Sequence, residues 1–237
     1  MEILITLCAR GGSKGIPGKN IRSINDKPLI AYSIDHAKEF SKIHKADIVL
    51  STDSVAISEV AKNYGIEIGY VRPESVSLDA TGKMETILHA LNYEEASRNK
   101  KYDFILDLDI SSPLRNLDDL LMGFEKIKSD QHALNLFSVN HANRNPYFNM
   151  VEQKPDGYFG LVKKGDFLTR QSAPAIYDLN ASFYFYRRAF FDQANPKTIS
   201  ERSLIHVMNH ICFDLDHPID FDFMQFLITN NKLGFKL

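Results

Sequence analysis

From Ile3 to Val139 short apolar runs alternate with stretches of helical periodicity. Ile3 to Ala9 is almost continuously hydrophobic, which predicts a strand buried on both faces. Between Pro28 and Phe40, Ile30, Ile34 and Ala37 recur at helical spacing, and Pro28 suits a first helical turn. Asp47 to Ser51 reads as a second strand, Val55 to Tyr64 as a helix stopped by Gly65, and Ile66 to Val71 as a third strand. Met84 to Ala96 follows as a helix with Ile87, Leu88 and Leu91 on one face. Phe104 to Ile110 (strand), Leu117 to Ile127 (helix) and Leu134 to Val139 (strand) continue the rhythm. Such alternation predicts an α/β protein with a parallel sheet, because parallel strands need helical crossovers. Ligands of such sheets bind beyond the carboxyl ends of the strands.

Between about Asn140 and Asp178 the rhythm breaks. Arg144-Asn145-Pro146-Tyr147-Phe148-Asn149 leads into Met150 to Glu152, a turn at Pro155-Asp156-Gly157, and then Tyr158 to Val162. This predicts a β-hairpin inserted in the α/β core, able to cover a site or pair with another subunit. Ala181 to Tyr186 resumes the sheet, Ile211 to Leu215 reads as the last strand and Phe221 to Ile228 as the last helix. With no repeat or low-complexity linker, the expectation is one domain over residues 1–237 with an inserted arm at about 141–178.

Composition narrows the possibilities. At 237 residues the chain sits near the upper end for a single domain, and 44% hydrophobic with 24% charged residues supports a sizeable core. A formal net charge of -2 argues against a nucleic-acid binder that relies on bulk positive charge. Cys8 and Cys212 lie in apolar runs that read as strands, and two buried thiols in a reduced cytosol are expected rather than a single disulfide. Met1 to Leu7 is apolar but lacks a basic leader and is soon followed by Arg10 and glycines. It is too short for a signal peptide or membrane span, which predicts a cytoplasmic protein with no membrane partner. The eight histidines show no metal-ligand spacing.

The most informative stretch runs from Arg10 through Gly11, Gly12, Ser13, Lys14, Gly15, Ile16, Pro17, Gly18 and Lys19 to Asn20. Four glycines let the backbone approach a ligand closely, and exposed N–H groups in such turns form anion nests. With Arg10, Lys14 and Lys19 among them directly after the first strand, the segment describes a polyphosphate cradle. It is not a P-loop, since no glycine lies five residues before Gly18 and Asn20 replaces the Ser/Thr after the lysine. It also fails G-x-G-x-x-G.

Here the chain resembles the acylneuraminate cytidylyltransferases (CMP-sialic acid synthetases), through an arginine, Gly-Ser-Lys-Gly and Lys-Asn in this loop. The similarity extends to Ser51-Thr52-Asp53, Arg72-Pro73-Glu74, Ser112-Pro113-Leu114-Arg115 and Asp214-Leu215-Asp216, over nearly the whole chain. It implies a Rossmann-like three-layer α/β/α nucleotidyltransferase fold, with a mainly parallel sheet and an inserted β-hairpin dimerisation arm. The implied partners are CTP, a nonulosonic acid and a second copy of the chain. Arg10, Gly11, Gly12, Ser13, Lys14, Lys19, Asn20, Arg72 and Ser112 are implied as nucleotide contacts, with Arg10, Lys14 and Asp216 catalytic.

Asp214 and Asp216 are implied as ligands of Mg²⁺, with Mn²⁺ able to substitute. One residue apart, they would point to opposite faces of a strand, and converge only if the chain turns near Pro218. The bland reading of Asp216 is a helix-start residue, and that of Arg72 an ordinary exposed arginine. Asp118 and Asp119 fit a helix start. Asp109, Arg170, Gln171, Asn180 and Tyr184 are implied on the sugar side. Arg170 suits a two-pronged carboxylate contact; Asn180 serves either sugar or main chain, and Tyr184 is as readily core packing. Two positions depart from the family pattern: Asp109 stands where glutamine is usual, and Lys83 where a small hydroxyl residue is common.

The reaction so implied is in-line attack of a sugar's anomeric hydroxyl on the α-phosphorus of CTP, with pyrophosphate leaving and no covalent enzyme intermediate. The runner-up is CMP synthesis on the eight-carbon acid Kdo, followed by a glycosyltransferase and a non-catalytic nucleotide-binding module. Arg144 to Asn149 and Arg170 to Pro174 resemble the subgroup acting on bacterial legionaminic acid. Sialic, Kdn and pseudaminic acids stay open.

Overall fold

A computed structural model describes residues 1–12, 15–78 and 81–237 of the chain. Continuous apolar runs occupy the middle of its sheet because both faces are covered. β1 (Ile3–Cys8) pairs in parallel with β4 (Asp47–Ser51) on one side and with β5 (Phe104–Leu108) on the other. Two short strands, β2 (Ser23–Ile24) and β3 (Lys27–Pro28), make a separate hairpin turned by Asn25 and Asp26, both at positive φ. β9 (Tyr177–Arg187) runs antiparallel between β5 and β6 (Asn135–His141), and β10 (Ser203–Val207) closes the edge parallel to β6. The strand order is β10-β6-β9-β5-β1-β4.

Residues of β1 sort by parity, as a strand requires. Ile3, Ile5 and Leu7 enter the core that holds α1 (Leu29–His44), α2 (Val55–Asn63), α4 (Leu117–Ser129) and α5 (Pro218–Thr229). Leu4 enters the second core, under α3 (Lys83–Ser97), with Ile87, Ala90 and Leu91. The expected mixed α/β fold with helices on both faces is present, and no described helix is long and apolar enough to cross a membrane.

Two expected strands are absent. Ile66 to Val71 is extended but pairs with no strand; it buries Ile66 and Tyr70 and accepts the Tyr93 hydroxyl on Gly69 O. Ile211 to Leu215 is likewise extended coil that docks through Leu215 N–H on Ser111 O at 2.8 Å. Cys212 therefore lies outside any strand; both cysteines are free.

Between β6 and β9 the chain makes β7 (Val151–Gln153) and β8 (Phe159–Leu161), an antiparallel pair. Asn145 organises the approach to it. Its carbonyl accepts the N–H groups of Phe148, Asn149 and Met150, and its side-chain Nδ2 donates to Pro174 O on the returning segment.

Candidate active site

The loop after β1 is tied to its neighbours by backbone groups that glycine exposes. Ala9 N–H donates to Ser51 O at the end of β4, and Gly11 N–H donates to Asp53 Oδ1 at 2.7 Å. Asn20, buried, closes the loop by donating Nδ2 to Arg10 O at 2.9 Å. Gly18 takes φ +64°, a conformation that favours glycine. Gly15 abuts the chain's far end: a Cβ there would stand 3.0 Å from Asp216 O. On the same side Lys19 Nζ lies 3.3 Å from Asp216 Oδ1. Gly12 is exposed on the loop; Ser13 and Lys14 lie outside the described residues.

At the carboxyl end of β5 the charge is denser. Asp107 is fully buried beside β1, where Thr6 Oγ1 donates to its Oδ1 at 2.7 Å. From the first residue of α3, Lys83 reaches across, its Nζ 2.8 Å from both Asp107 Oδ2 and Asp109 Oδ2. The contact to Asp109 is an aligned hydrogen bond and that to Asp107 an ion pair outside hydrogen-bond geometry. The same ammonium stands 4.7 Å from the Tyr184 ring centroid, and Asp109 Oδ1 accepts both the N–H and the Oγ of Ser111 at 2.8 Å.

Burial alone would neutralise these groups, but the pairing outweighs it. Asp109 is held down to about 2 by Lys83 and Ser111 against the cost of burial, and Asp107 and Asp109 hold Lys83 well above its usual range. At Asp214 the balance reverses: burial first, then the fields of Asp109 and Asp216, push it up to about 6 against the weaker pull of Lys83 and Lys19. Its carboxylate sits in an excess of negative charge.

A cleft of about 460 Å³ opens at this edge of the sheet. Arg10, Gly15, Lys19, Asn20, Arg72, Asp109 and Asp216 all line it, so residues far apart in the sequence meet there. Arg72 is not an ordinary exposed arginine. It is buried, with Nε donating to Ser51 Oγ at 3.0 Å and Nη2 to Ser51 O at 2.7 Å. Asp216 is not the cap of α5: Asp220 Oδ2 accepts the N–H groups of Asp216 and His217, and His217 is the N-cap. Asp119 does serve its helix start, in a reciprocal capping box with Asn116.

Other expected site residues lie elsewhere. Ser112 is fully buried and donates to Asn180 O, so its neighbour Ser111 lines the cleft instead. The Asn180 amide is engaged within the protein, donating to Asn140 Oδ1 and accepting from Ser138 Oγ. A bulge with Ala181 at φ +57° turns it inward. Tyr184 is buried behind Lys83, stacked on Tyr186. Arg170 and Gln171 sit on a short 3-10 turn of the arm, where Arg170 donates to Ala142 O; neither lines the cleft within this chain.

Lys83, marked in the sequence only as a departure from the family pattern, and Thr86, not singled out there, line the cleft together. A signal existed: the two are three apart at the start of a helix and so share a face.

Arg115 is the hidden support of this floor. Fully buried and facing no carboxylate at ion-pair distance among the described residues, it donates Nη1 to Ser112 O and Ser182 O, and Nη2 to Asp109 O. Burial lowers its pKa to about 10.

Known proteins are similar to this chain over its whole length. "Post-translational flagellin modification protein B" of Campylobacter coli is 42% identical over 99% of this chain and 98% of its own length. "CMP-N,N'-diacetyllegionaminic acid synthase" of Campylobacter jejuni subsp. jejuni is 40% identical over 98% of this chain and 97% of its own. The solved structure of CMP:2-keto-3-deoxy-manno-octonic acid synthetase complexed with CTP matches with a TM-score of 0.69 at 14% identity, covering 98% of this chain and 100% of that one. The pattern of the Cytidylyltransferase family spans residues 4–225, and the chain belongs to that family of enzymes.

Proposed function

We propose that this enzyme, in the cytoplasm, transfers CMP from CTP to the anomeric hydroxyl of a nine-carbon nonulosonic acid of the legionaminic class, releasing pyrophosphate and giving the CMP-sugar for surface glycan synthesis. The observation that carries the reading is the closure of the glycine-rich loop on Asp216, with Gly15 against its carbonyl and Lys19 beside its carboxylate. A polyphosphate cradle and a carboxylate are thereby brought to one edge of the sheet. Full-length similarity to a CMP-N,N'-diacetyllegionaminic acid synthase supports the choice of acceptor.

The donor set suits a hard divalent cation. Among the described residues no three acidic, histidine or cysteine side chains form a cage, yet Asp214 is pushed up to about 6 by burial and its acidic neighbours. Asp214 and Asp216 are the residues that would hold the ion, as Mg²⁺ with one or two carboxylates, phosphates and water. When bound, it supplies charge neutralisation at the α-phosphate and the leaving pyrophosphate.

The chain's own groups do the rest. Backbone N–H groups of the loop, with Arg10, Lys14 and Lys19, bind the phosphates and stabilise charge that grows as pyrophosphate leaves. Arg72, pinned on Ser51, offers a rigid contact to the nucleoside. Asp109 and Ser111 lie where the acceptor enters, holding it in line for attack. The arm from about 141 to 178 presents Tyr158, Phe159 and Leu168 to solvent and is the surface through which two copies pair.

The test is pyrophosphate release with CTP and Mg²⁺ against legionaminic, N-acetylneuraminic, Kdn, pseudaminic and Kdo acids. Release that requires a nine-carbon acid and stops with EDTA supports the proposal. The fold is shared with a Kdo-activating synthetase, so release with Kdo alone would replace it.

A further inference from the structure

Lys83 is the one cation of the cleft that does not belong to the loop after β1 or to the Arg72 anchor. An ammonium has three donors. Asp107 and Asp109 face it at 2.8 Å each, and the Tyr184 ring stands behind it. Only the Asp109 contact is a hydrogen bond, and the side chain is still 33% exposed and lines the cleft, so the ammonium keeps an N–H for a ligand there.

The chemistry of that ligand follows from the charge balance. An ammonium flanked by two carboxylates has no spare positive charge, and the trio carries a net negative charge. A phosphate or carboxylate oxygen would be repelled by Asp109, whereas a neutral hydroxyl or acylamino carbonyl oxygen is not. Topology adds the side. The glycine-rich loop leaves β1 and is tied to Asp53 beyond β4, so CTP belongs on the β1–β4 side. Asp109 follows β5, and Tyr184 sits on β9, on the opposite side of β1. That is the acceptor side.

We propose that Lys83 is a specificity-determining residue whose ammonium, hydrogen-bonded to Asp109 and ion-paired with Asp107, donates an N–H to a neutral oxygen of the acceptor sugar, with Asp109 as the partner that aims it. The inference rests on the cytidylyl transfer proposed above.

The experiment compares wild type with Lys83→Met, Asp109→Asn and the double variant. Pyrophosphate release is followed at saturating CTP against the sugar acid that wild type uses, and CTP affinity is measured separately by calorimetry. Each single variant is expected to raise KM for the sugar acid by about tenfold, the loss typical of one charge-assisted hydrogen bond. The double variant should lose no more than the worse single one, because the pair acts as a unit. CTP affinity should stay within about twofold. If Lys83→Met does not fold, Lys83→Arg, which keeps a cationic donor beside Asp107 and Asp109, decides the matter through a shifted sugar KM at unchanged CTP affinity.

A folded variant with unchanged sugar KM, a loss confined to CTP affinity, or multiplicative losses in the double variant would each overturn the assignment. Wild type that turns over no sugar acid would defeat the proposed function and this inference together. Normal wild-type turnover with insensitive variants defeats the inference alone.

Discussion

Lys19 Nζ lies 3.3 Å from Asp216 Oδ1, joining the glycine-rich loop to the segment before α5. Both residues line the cleft, and Gly15 lies so close that a Cβ there would stand 3.0 Å from the Asp216 carbonyl oxygen. Asp216→Asn keeps the shape and removes the charge. We expect kcat to fall by about 10²–10³, the scale of losing one preorganised charge-stabilising group. Steady-state turnover with a circular-dichroism melt checks this, and near-normal turnover in a folded variant would remove Asp216 from the mechanism.

Arg115 carries a second prediction. It holds the carbonyls of Asp109, Ser112 and Ser182 in a fully buried site. Arg115→Met removes the charge and one donor from each carbonyl, while Ser33 Oγ, Ser182 Oγ and Asp109 N–H still donate to Asp109 O, Ser112 O and Ser182 O. Three lost buried hydrogen bonds at about 0.5–1.5 kcal/mol each predict a loss of about 2–4 kcal/mol in urea unfolding. A loss below about 1 kcal/mol would mean the remaining donors suffice.

Much of the sheet was readable because its strands are buried on both faces. Ile3 to Cys8 and Phe104 to Leu108 are near-continuous hydrophobic runs, and that pattern survives without knowledge of partners. Ile66 to Val71 and Ile211 to Leu215 look similar yet form no strand, since hydrophobicity reports burial rather than pairing. The opposite failure is β10, an edge strand whose Ser203, Leu204, Ile205 and Val207 are only partly buried, leaving little apolar signal. Its place beside β6 depends on a crossover that no local pattern encodes. In the site, the loop after β1 announced itself by glycines and cations within one short segment. Lys83 did not, because its meaning lies in Asp107 and Asp109, on a strand end reached only after α3 folds against the sheet.

Asp119 gives a pH-dependent prediction. Its carboxylate accepts from His210 Nε2 at 2.8 Å and His206 Nε2 at 3.3 Å, besides capping α4. Burial opposes its ionisation, but these bonds hold its pKa well below the ordinary 3.8. Burial likewise opposes protonation of His210, yet Asp119 raises its pKa above 6.5. The signs differ. A depressed carboxylate stabilises the fold above 3.8 and loses that contribution as pH falls through its folded pKa. A raised histidine stabilises below 6.5 and loses its contribution as pH rises through its folded pKa. The pair is therefore worth most between 3.8 and 6.5. Asp119→Asn retains a capping side chain while removing the charge. Its urea midpoint should lag wild type most near pH 5, by about 1–2 kcal/mol, and converge toward wild type on either side. A deficit independent of pH would assign Asp119 to capping alone.

The arm makes the last prediction. Tyr158 is 76% exposed and Phe159 67% on a hairpin too short to be stable through its own two strands, and Leu168, further along the arm, is 96% exposed. Side chains of this size left in water mark a surface that another chain covers. Phe159→Glu would place a charge in that contact and cost several kcal/mol of association unless paired, while touching none of the cleft-lining residues. Sedimentation should show the wild type as a dimer and the variant shifted to monomer at micromolar concentration, with the same circular dichroism. Arg170 and Gln171 ride on the same arm and do not reach the cleft of their own chain. If they complete the neighbour's acceptor site, the monomeric variant will bind CTP normally and lose turnover. A monomer of full activity would confine the arm to assembly and return Arg170 and Gln171 to the surface.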